Sequence, residues 1–420
     1  MLQTIKLLFN PKNKDIRKRL GFTLFCLLVF IVGTTIPVPG TQGAISDLDV
    51  WELYDAIGGG ALERFSIFAL GVMPYISASI ITGLLQMNVI PYFTELKERG
   101  AEGRQKINQI NRYLGLIIAF VQGFALSFAF VNDASAFEYV KISIILTAGT
   151  AFLLWMGDQI TQKGIGNGLS LIIMAGILST MPAMFIDTFN ALIIDTESSL
   201  FLGIVSFIVF VLFYLAIIVG IVFVEKSERR IPIQYANQTS AAYGGKQNYI
   251  PLKINSANVM PVIFASVIFA IPSFIAGIMD SESAVVEFIT KYISYTTPTG
   301  FILYILVIVF FSYFYTFLQM NPAEMSKNLN RGGGYIPGIR PGIETEQYFK
   351  TVLGRITFLG TVFIAVIAGL PIIVSNFMTT SLPTSVTFGG TGLLIVVGVA
   401  LNTYRQLESS IVNRNYRGNR

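Results

Sequence analysis

The sequence predicts an all-α polytopic membrane protein, with ten transmembrane helices in two five-helix halves of opposite topology. Three observations predict it. The chain is 53% hydrophobic and 13% charged over 420 residues, which fits a bundle of membrane helices better than a water-soluble core. Its charges are missing from long runs: no Asp, Glu, Lys or Arg stands between Arg355 and Arg405. A helix needs about 20 apolar residues to cross the ~30 Å hydrocarbon core, and a central charge costs roughly 2.5–3.5 kcal/mol on insertion scales. Finally, the basic residues alternate between loops in a pattern that an odd number of spans does not reproduce.

The first span covers 20–38. It has spanning length and ends without a small-residue cleavage site, so no cleavable signal peptide is expected. The second covers 72–90 and follows an unusual segment, GGGALERFSIFALG at 58–71. Three glycines open that segment, Glu63 and Arg64 are its charges, and its apolar stretch 61–70 is too short to cross. It reads either as a short re-entrant helix, tolerated only inside protein or a water-filled cavity, or as an interfacial helix on the outer surface. Spans three to eight lie at 113–131, 141–157, 168–186, 202–224, 257–279 and 300–320. The last two, 354–375 and 385–404, share the long charge-free stretch. Pro371 and the loop NFMTTSLPTSVTFGG at 376–390 separate them.

Lys/Arg counting sets the orientation. Of 29 basic residues, 26 fall on one side, and Arg64, Lys141 and Lys291 on the other. The acids divide 11 against 13, so one side carries 26 − 11 = +15 and the other 3 − 13 = −10. Both termini are therefore expected in the cytoplasm. Five spans leave the chain on the outer side, so residues 1–195 and 196–420 form halves of inverted topology, with TESSL at 196–200 as their hinge. Such a plan places a functional site at the interface of the halves.

The chemistry available is narrow. There is no histidine, and the one cysteine, Cys26, lies inside the first span as a small apolar residue. The span interiors hold no ionisable group, which argues against an ion-coupled transporter, although a symporter using carbonyls and Asn, Ser or Thr stays open. GIGNG at 164–168 has phosphate-loop spacing, but no strand precedes it and no Gly-Lys-Ser/Thr follows, so Asn167 is read as the cap of span five. No nucleotide site, metal cluster or nucleophile constellation is found; an enzyme is not expected, nor a cofactor. Any energy must come from outside the chain.

Five segments resemble the SecY protein-translocation channel family. They are IFALGVMPYISASIITGLL at 67–85, WMGDQITQKGIGNGLSLII at 155–173, NVMPVIFAS at 258–266, GGGYIPGIRPG at 332–342 and FGGTGLLIVVGVALN at 388–402. They are long, fall in the family's order and cover essentially the whole chain; the cytosolic loops look like the bacterial form. The resemblance implies an hourglass pore between the halves, closed by an apolar ring, stoppered by a short plug helix and opening sideways to lipid. Its ring would be Val72, Ile76, Leu169, Ile173, Ile263 and Ile395, with Leu394 the alternative register for the last. Val72/Ile76 and Leu169/Ile173 are i, i+4 pairs, each on one helix face. The plug would be about 60–70, with Gly60, Leu62, Glu63, Arg64, Phe65 and Phe68.

The resemblance further implies a lateral gate between spans two/three and seven/eight. Ser77, Gln122 and Asn258 would lie near it, hydrogen-bonding between helices at ~0.6–2 kcal/mol each. The cytosolic loops 225–256 and 321–352 would dock SecA or the ribosome through Arg340, Arg229, Arg230, Lys246 and Lys253. The first loop alternates like a hairpin about Gly244–Gly245. Implied partners are SecE-type and SecG-type small subunits, SecA, the ribosome, secretory preproteins with their signal sequences, and the bilayer of a bacterial plasma membrane. From the residues alone, a secondary transporter of a small solute is the alternative.

Overall fold

The chain enters at helix α1, Lys14–Thr34, whose first turn carries Asp15 and whose lower face buries Ile16. The computed structural model describes residues 14–41, 55, 58–86, 90–131, 135–194, 200–235, 248–278, 283–293, 297–377 and 389–417. After a re-entrant segment come α2 (Met73–Leu85), α3 (Pro91–Glu98), α4 (Ala101–Phe130), α5 (Ala136–Lys163), α6 (Gly168–Phe189) and α7 (Leu200–Lys226). The second half holds β1 (Glu228–Tyr235), β2 (Asn248–Lys253), α8 (Met260–Ile278), α9 (Ala284–Phe288), α10 (Pro298–Gln319), α11 (Pro322–Arg331), β3 (Gly334–Tyr335), α12 (Ile343–Phe377) and α13 (Gly389–Arg417). Each expected span coincides with a helix. The expected hinge residues 196–199, the loop 378–388, Lys246 and the Gly244–Gly245 turn lie outside the described residues.

Local chemistry sets the helix ends. Ser135 and Glu138 form a capping box at α5, satisfying two orphan donors. Asn167 caps α6, its Oδ1 accepting from Ser170 N at 3.4 Å. Thr297 and Asn321 cap α10 and α11, each followed by a proline in the first turn, where its missing N–H costs nothing. Span two is shorter than the sequence suggested: α2 begins only at Met73, after Gly71 at φ 55°, and its 13 residues rise about 20 Å. Spans nine and ten are longer, because α12 (35 residues) and α13 (29 residues) continue into charged flanking sequence without a breaker.

In the first half α4 packs on α2 and α5, and α1 on α5 and α6. In the second, α10 packs on α8 and α12, and α12 on α13. The halves meet on two sides: α6 against α13, and α8 against both α2 and α4. One continuous apolar core runs through both halves, with Phe30, Leu70, Ile76, Ile173, Ile263 and Ile395 among its members. α7 turns Phe201, Leu212, Val219 and Phe223 outward, as a lipid-facing helix would. Between α4 and α5, Arg112 pairs with Asp158.

The described parts of loops 225–256 and 321–352 form one module, which separate readings of the two did not foresee. β1 pairs antiparallel with β2, Ile231 opposite Ile250, and with β3, Gln234 opposite Tyr335. The sheet order is β2-β1-β3, so each loop supplies part of it. Beneath it lies a separate apolar core of Ile231, Ile233, Leu252, Leu329, Phe349 and Leu353. A third small core joins Ile16 and Leu20 of α1, Ile165 before α6, and Leu407 and Ile411 of α13.

Candidate functional site

The segment before α2 folds into the protein rather than lying on its outer surface. Ala61, Leu62, Phe65, Phe68, Ala69 and Leu70 are all at most 3% exposed, which decides between the two readings of the sequence. Glu63 and Arg64 remain exposed, so the charge pair faces out of the apolar packing. The segment is not a regular helix: residues 59–72 run through consecutive turns, with Gly59, Gly60 and Gly71 at positive φ. Those backbone angles interrupt a continuous helix and favour glycine.

Its seat is built from glycines and aromatics on α1 and α5. Phe68 stacks between Phe30 at 6.2 Å and Phe152 at 5.9 Å, and a Cβ at Gly33 would overlap its ring. A Cβ at Gly149 would overlap the Ile67 carbonyl, and the Thr150 hydroxyl donates to the Gly71 carbonyl at 3.2 Å. A one-pair antiparallel bridge, Pro37 opposite Ser66, ties the segment to the chain leaving α1. Upstream, the Asp55 carboxylate accepts from Leu62 N at 2.7 Å and Glu63 N at 2.9 Å. Sequence reasoning missed Phe30, Gly33, Gly149, Phe152 and Asp55. Glycines within apolar helices, each a place where another backbone can approach, were the available signal.

The six ring candidates all join the central core. Val72, Ile76, Ile173, Ile263 and Ile395 are buried, and Leu169 packs half-buried against them. A small apolar void is lined by Phe30, Gly58, Gly71, Val72, Ile76 and Ile173, so the re-entrant segment abuts α2 and α6 there. Leu394 is as buried as Ile395.

Of the gate candidates, Ser77 lies on α2, Gln122 on α4 and Asn258 two residues before α8, and α8 packs on both α2 and α4. Their expected cross-helix bonding is not what the closed seam holds. Ser77 donates to the Met73 carbonyl inside its own helix at 3.1 Å. Gln122 Oε1 and Asn258 Oδ1 are buried without a hydrogen-bond partner among the described residues. Asn258 adopts φ 53°, a left-handed conformation asparagine tolerates better than most residues.

On the three-stranded module, Arg340 is exposed in a turn fixed from three sides. Thr345 donates to its carbonyl at 2.9 Å, its N–H reaches Glu344 at 3.4 Å, and Ser326 holds Gly342 at 3.0 Å. Gly338 and Gly342 supply the positive φ values. Arg229 is exposed; Arg230 pairs with Glu228 at 2.8 Å and lies 4.8 Å from the centre of the Tyr249 ring. Lys253 is half-buried, and burial with the nearby Arg405 pushes its ammonium below the usual lysine range. It neighbours Glu225, a carboxylate 2% exposed that accepts from Asn255 Nδ2 at 2.7 Å, while Arg405 donates to the Glu225 carbonyl at 2.9 Å.

Helices long and apolar enough to cross a membrane, packed on one apolar core with a chain segment folded back into it, make this a polytopic helical membrane protein. The SecY family model matches residues 66–404. The protein translocase subunit SecY of Halalkalibacterium halodurans is 44% identical over 431 residues, covering 100% of this chain and 99% of that one. A solved protein-conducting channel superposes with TM-score 0.66 at 19% identity, over 94% of this chain and 92% of its own. Sec61 in the canine ribosome-channel complex from the endoplasmic reticulum does so with TM-score 0.64 at 19% identity, over the same shares.

The chain belongs to the SecY family. Its function is that of the central channel of the Sec translocase, not an enzyme: it conducts unfolded secretory proteins across a bacterial membrane and releases transmembrane segments sideways into lipid. The small-solute transporter reading gains no support from these relatives.

Proposed function

We propose that the translocating chain passes between residues 1–195 and 196–420, from a cytoplasmic side that holds both termini, through a waist of Val72, Ile76, Leu169, Ile173, Ile263 and Ile395. Residues 60–70 are the plug: Gly60, Leu62, Phe65 and Phe68 fill the channel, and Glu63 and Arg64 face the wet outer funnel. The observation that carries this reading is the burial of the re-entrant segment against Val72, Ile76 and Ile173. An apolar ring blocks ions by dewetting and still parts around a peptide, because it makes no directional bonds. The seam of α8 with α2 and α4, bearing Ser77, Gln122 and Asn258, opens to admit signal sequences and pass apolar segments to lipid.

The cytosolic module receives the driving partner, the SecA motor or a ribosome, through Arg340, with Arg229 and Arg230 beside it. Lys246, from its basic loop, belongs to the same surface. The canine neighbour's ribosome supports this class of partner, as does the presentation of Arg340 on a fixed turn. The half-burial of Lys253 beside Glu225 favours a structural part for that lysine. A SecE-type subunit clamps the halves and a SecG-type subunit accompanies them.

The test is protease protection of a labelled precursor in vesicles carrying the channel with its small subunits, SecA and ATP. ATP-dependent protection is expected, falling at least tenfold in Arg340→Glu with the complex still assembled. Undiminished protection in that variant would remove Arg340 from docking; none in the unaltered complex, with SecA bound, would remove the conduction path.

A further inference from the structure

The plug segment is held unevenly along its length. From Ser66 onward every kind of contact is present. Ile67 N–H donates to the Ile36 carbonyl at 3.0 Å, and the Phe68 ring is stacked on both faces. The Ile67 carbonyl fills the notch at Gly149, and Thr150 holds the Gly71 carbonyl at 3.2 Å. All of these partners lie on α1, on the chain leaving it, or on α5, within the same half. Residues 58–64 hydrogen-bond mainly to themselves and their own approach, and Gly59 also lies close against the Gly176 backbone of α6. Gly60 N–H donates to the Asp55 carbonyl, Leu62 and Glu63 N–H to the Asp55 carboxylate, and Ser179 of α6 reaches the Gly59 carbonyl at 3.3 Å.

Phe65 stands at the boundary. Its carbonyl is clamped by Val38 N–H at 2.9 Å, whereas its N–H closes a local turn onto Leu62 at 2.8 Å. Its φ is 43°, in the left-handed region where a bulky side chain is strained. The N–Cα and Cα–C bonds of Phe65 are therefore the last rotations before the clamped chain. Swinging the upstream residues about them breaks the Ser66 N–H bond to the Ala61 carbonyl at 2.8 Å and releases the strained angle.

We propose that the plug is two parts joined at Phe65: a fixed strap, residues 66–71, that stays on α1 and α5 when the channel opens, and a mobile stopper, residues 58–64, that swings out. Asp55 is the latch of the stopper, since its carboxylate is what organises the turn at Leu62 and Glu63. The proposal rests on the plug reading above and divides it further. It explains why the stacked Phe68 ring and the notches at Gly33 and Gly149 lie downstream of the strained residue.

The test uses the assembled complex in intact cells with Cys26→Ala as background. Single cysteines are placed by Leu62→Cys in the stopper and Ala69→Cys in the strap, both sites being fully buried in the closed channel. A membrane-impermeant maleimide is applied to idle channels and to channels jammed by a precursor with a tightly folded tail. The thiol at 62 is expected to label at least tenfold faster in jammed channels, and the thiol at 69 to stay at its idle rate. Joint acceleration at both sites would overturn the division while leaving the plug reading intact. No acceleration at either, with the channel demonstrably jammed, would overturn the plug reading itself. A second variant, Pro37→Cys with Ser66→Cys, pairs positions opposite each other in a non-hydrogen-bonded bridge, where side chains are closest. Its oxidised form is expected to export precursor within twofold of its reduced form. A tenfold loss on oxidation, reversed by reductant, would show that the strap must move.

Discussion

At the scale of single residues, the closed channel depends on side chains that are missing as much as on those present. Gly33 and Gly149 let a ring and a carbonyl of the plug come as close as two helices pack. Even one methyl group at Gly149 has no room without moving the Ile67 backbone, and overpacking of this kind costs about 1–3 kcal/mol. Gly149→Ala should therefore unseat the strap in idle channels, raising maleimide labelling of a cysteine placed at residue 69 by roughly 5- to 100-fold. An idle labelling rate equal to that of the unaltered seat would mean that Gly149 only packs helices. Gln122 and Asn258 show the opposite case, polar atoms present but unpaired among the described residues. Each unpaired buried acceptor costs roughly 1–3 kcal/mol, and water or a peptide backbone entering the parted seam relieves it. The sequence pointed to these residues through their polarity in apolar helices. It could not reveal that their acceptors lack partners, because that depends on the facing helix.

At the scale of elements, what the sequence made legible follows the range of the interaction responsible. The ten spans were readable because desolvation of charge acts residue by residue, and the caps at Asn167 and the β1–β2 hairpin because they are local. The plug was misread as helical because an apolar run gives no warning of four positive φ values at Gly59, Gly60, Phe65 and Gly71. The union of β1 with β3 was invisible for another reason: Gln234 and Tyr335 meet across 101 residues. That union makes the surface proposed for docking one folded unit with its own core, which includes Phe349 at 0% exposed. Removing a buried phenyl ring costs about 3–5 kcal/mol, enough to open a small module without touching the membrane core. Phe349→Ala should make the cytosolic loops sensitive to added protease and weaken partner binding at least tenfold, while the membrane helices stay intact. Unaltered protease resistance of the loops would show that the sheet is held by the helices alone.

For the whole molecule, the question is which barrier keeps a closed channel tight to ions. Three of the proposed ring residues, Val72, Ile76 and Ile173, line one void together with Gly58 and Gly71, which flank the proposed plug. Two apolar barriers stacked along one path act in series, so ions must cross both and the higher one limits the leak. Replacing Ile76, Ile173 and Ile263 together by Ser hydrates the waist and lowers the dewetting barrier, but the plug still stands outside it. Unseating the plug through Gly149→Ala alone leaves the ring closed. The series arrangement therefore predicts strong non-additivity in planar-bilayer conductance of the assembled complex. Each change alone should raise the resting leak only a few-fold, and the combination far more than the product of the two. Residues in contact commonly show such coupling, and here its sign is informative. A combined leak equal to the larger single effect would place the whole seal in one element. A combined increase equal to the sum of the two single increases would mean that ring and plug close different paths, since parallel conductances add.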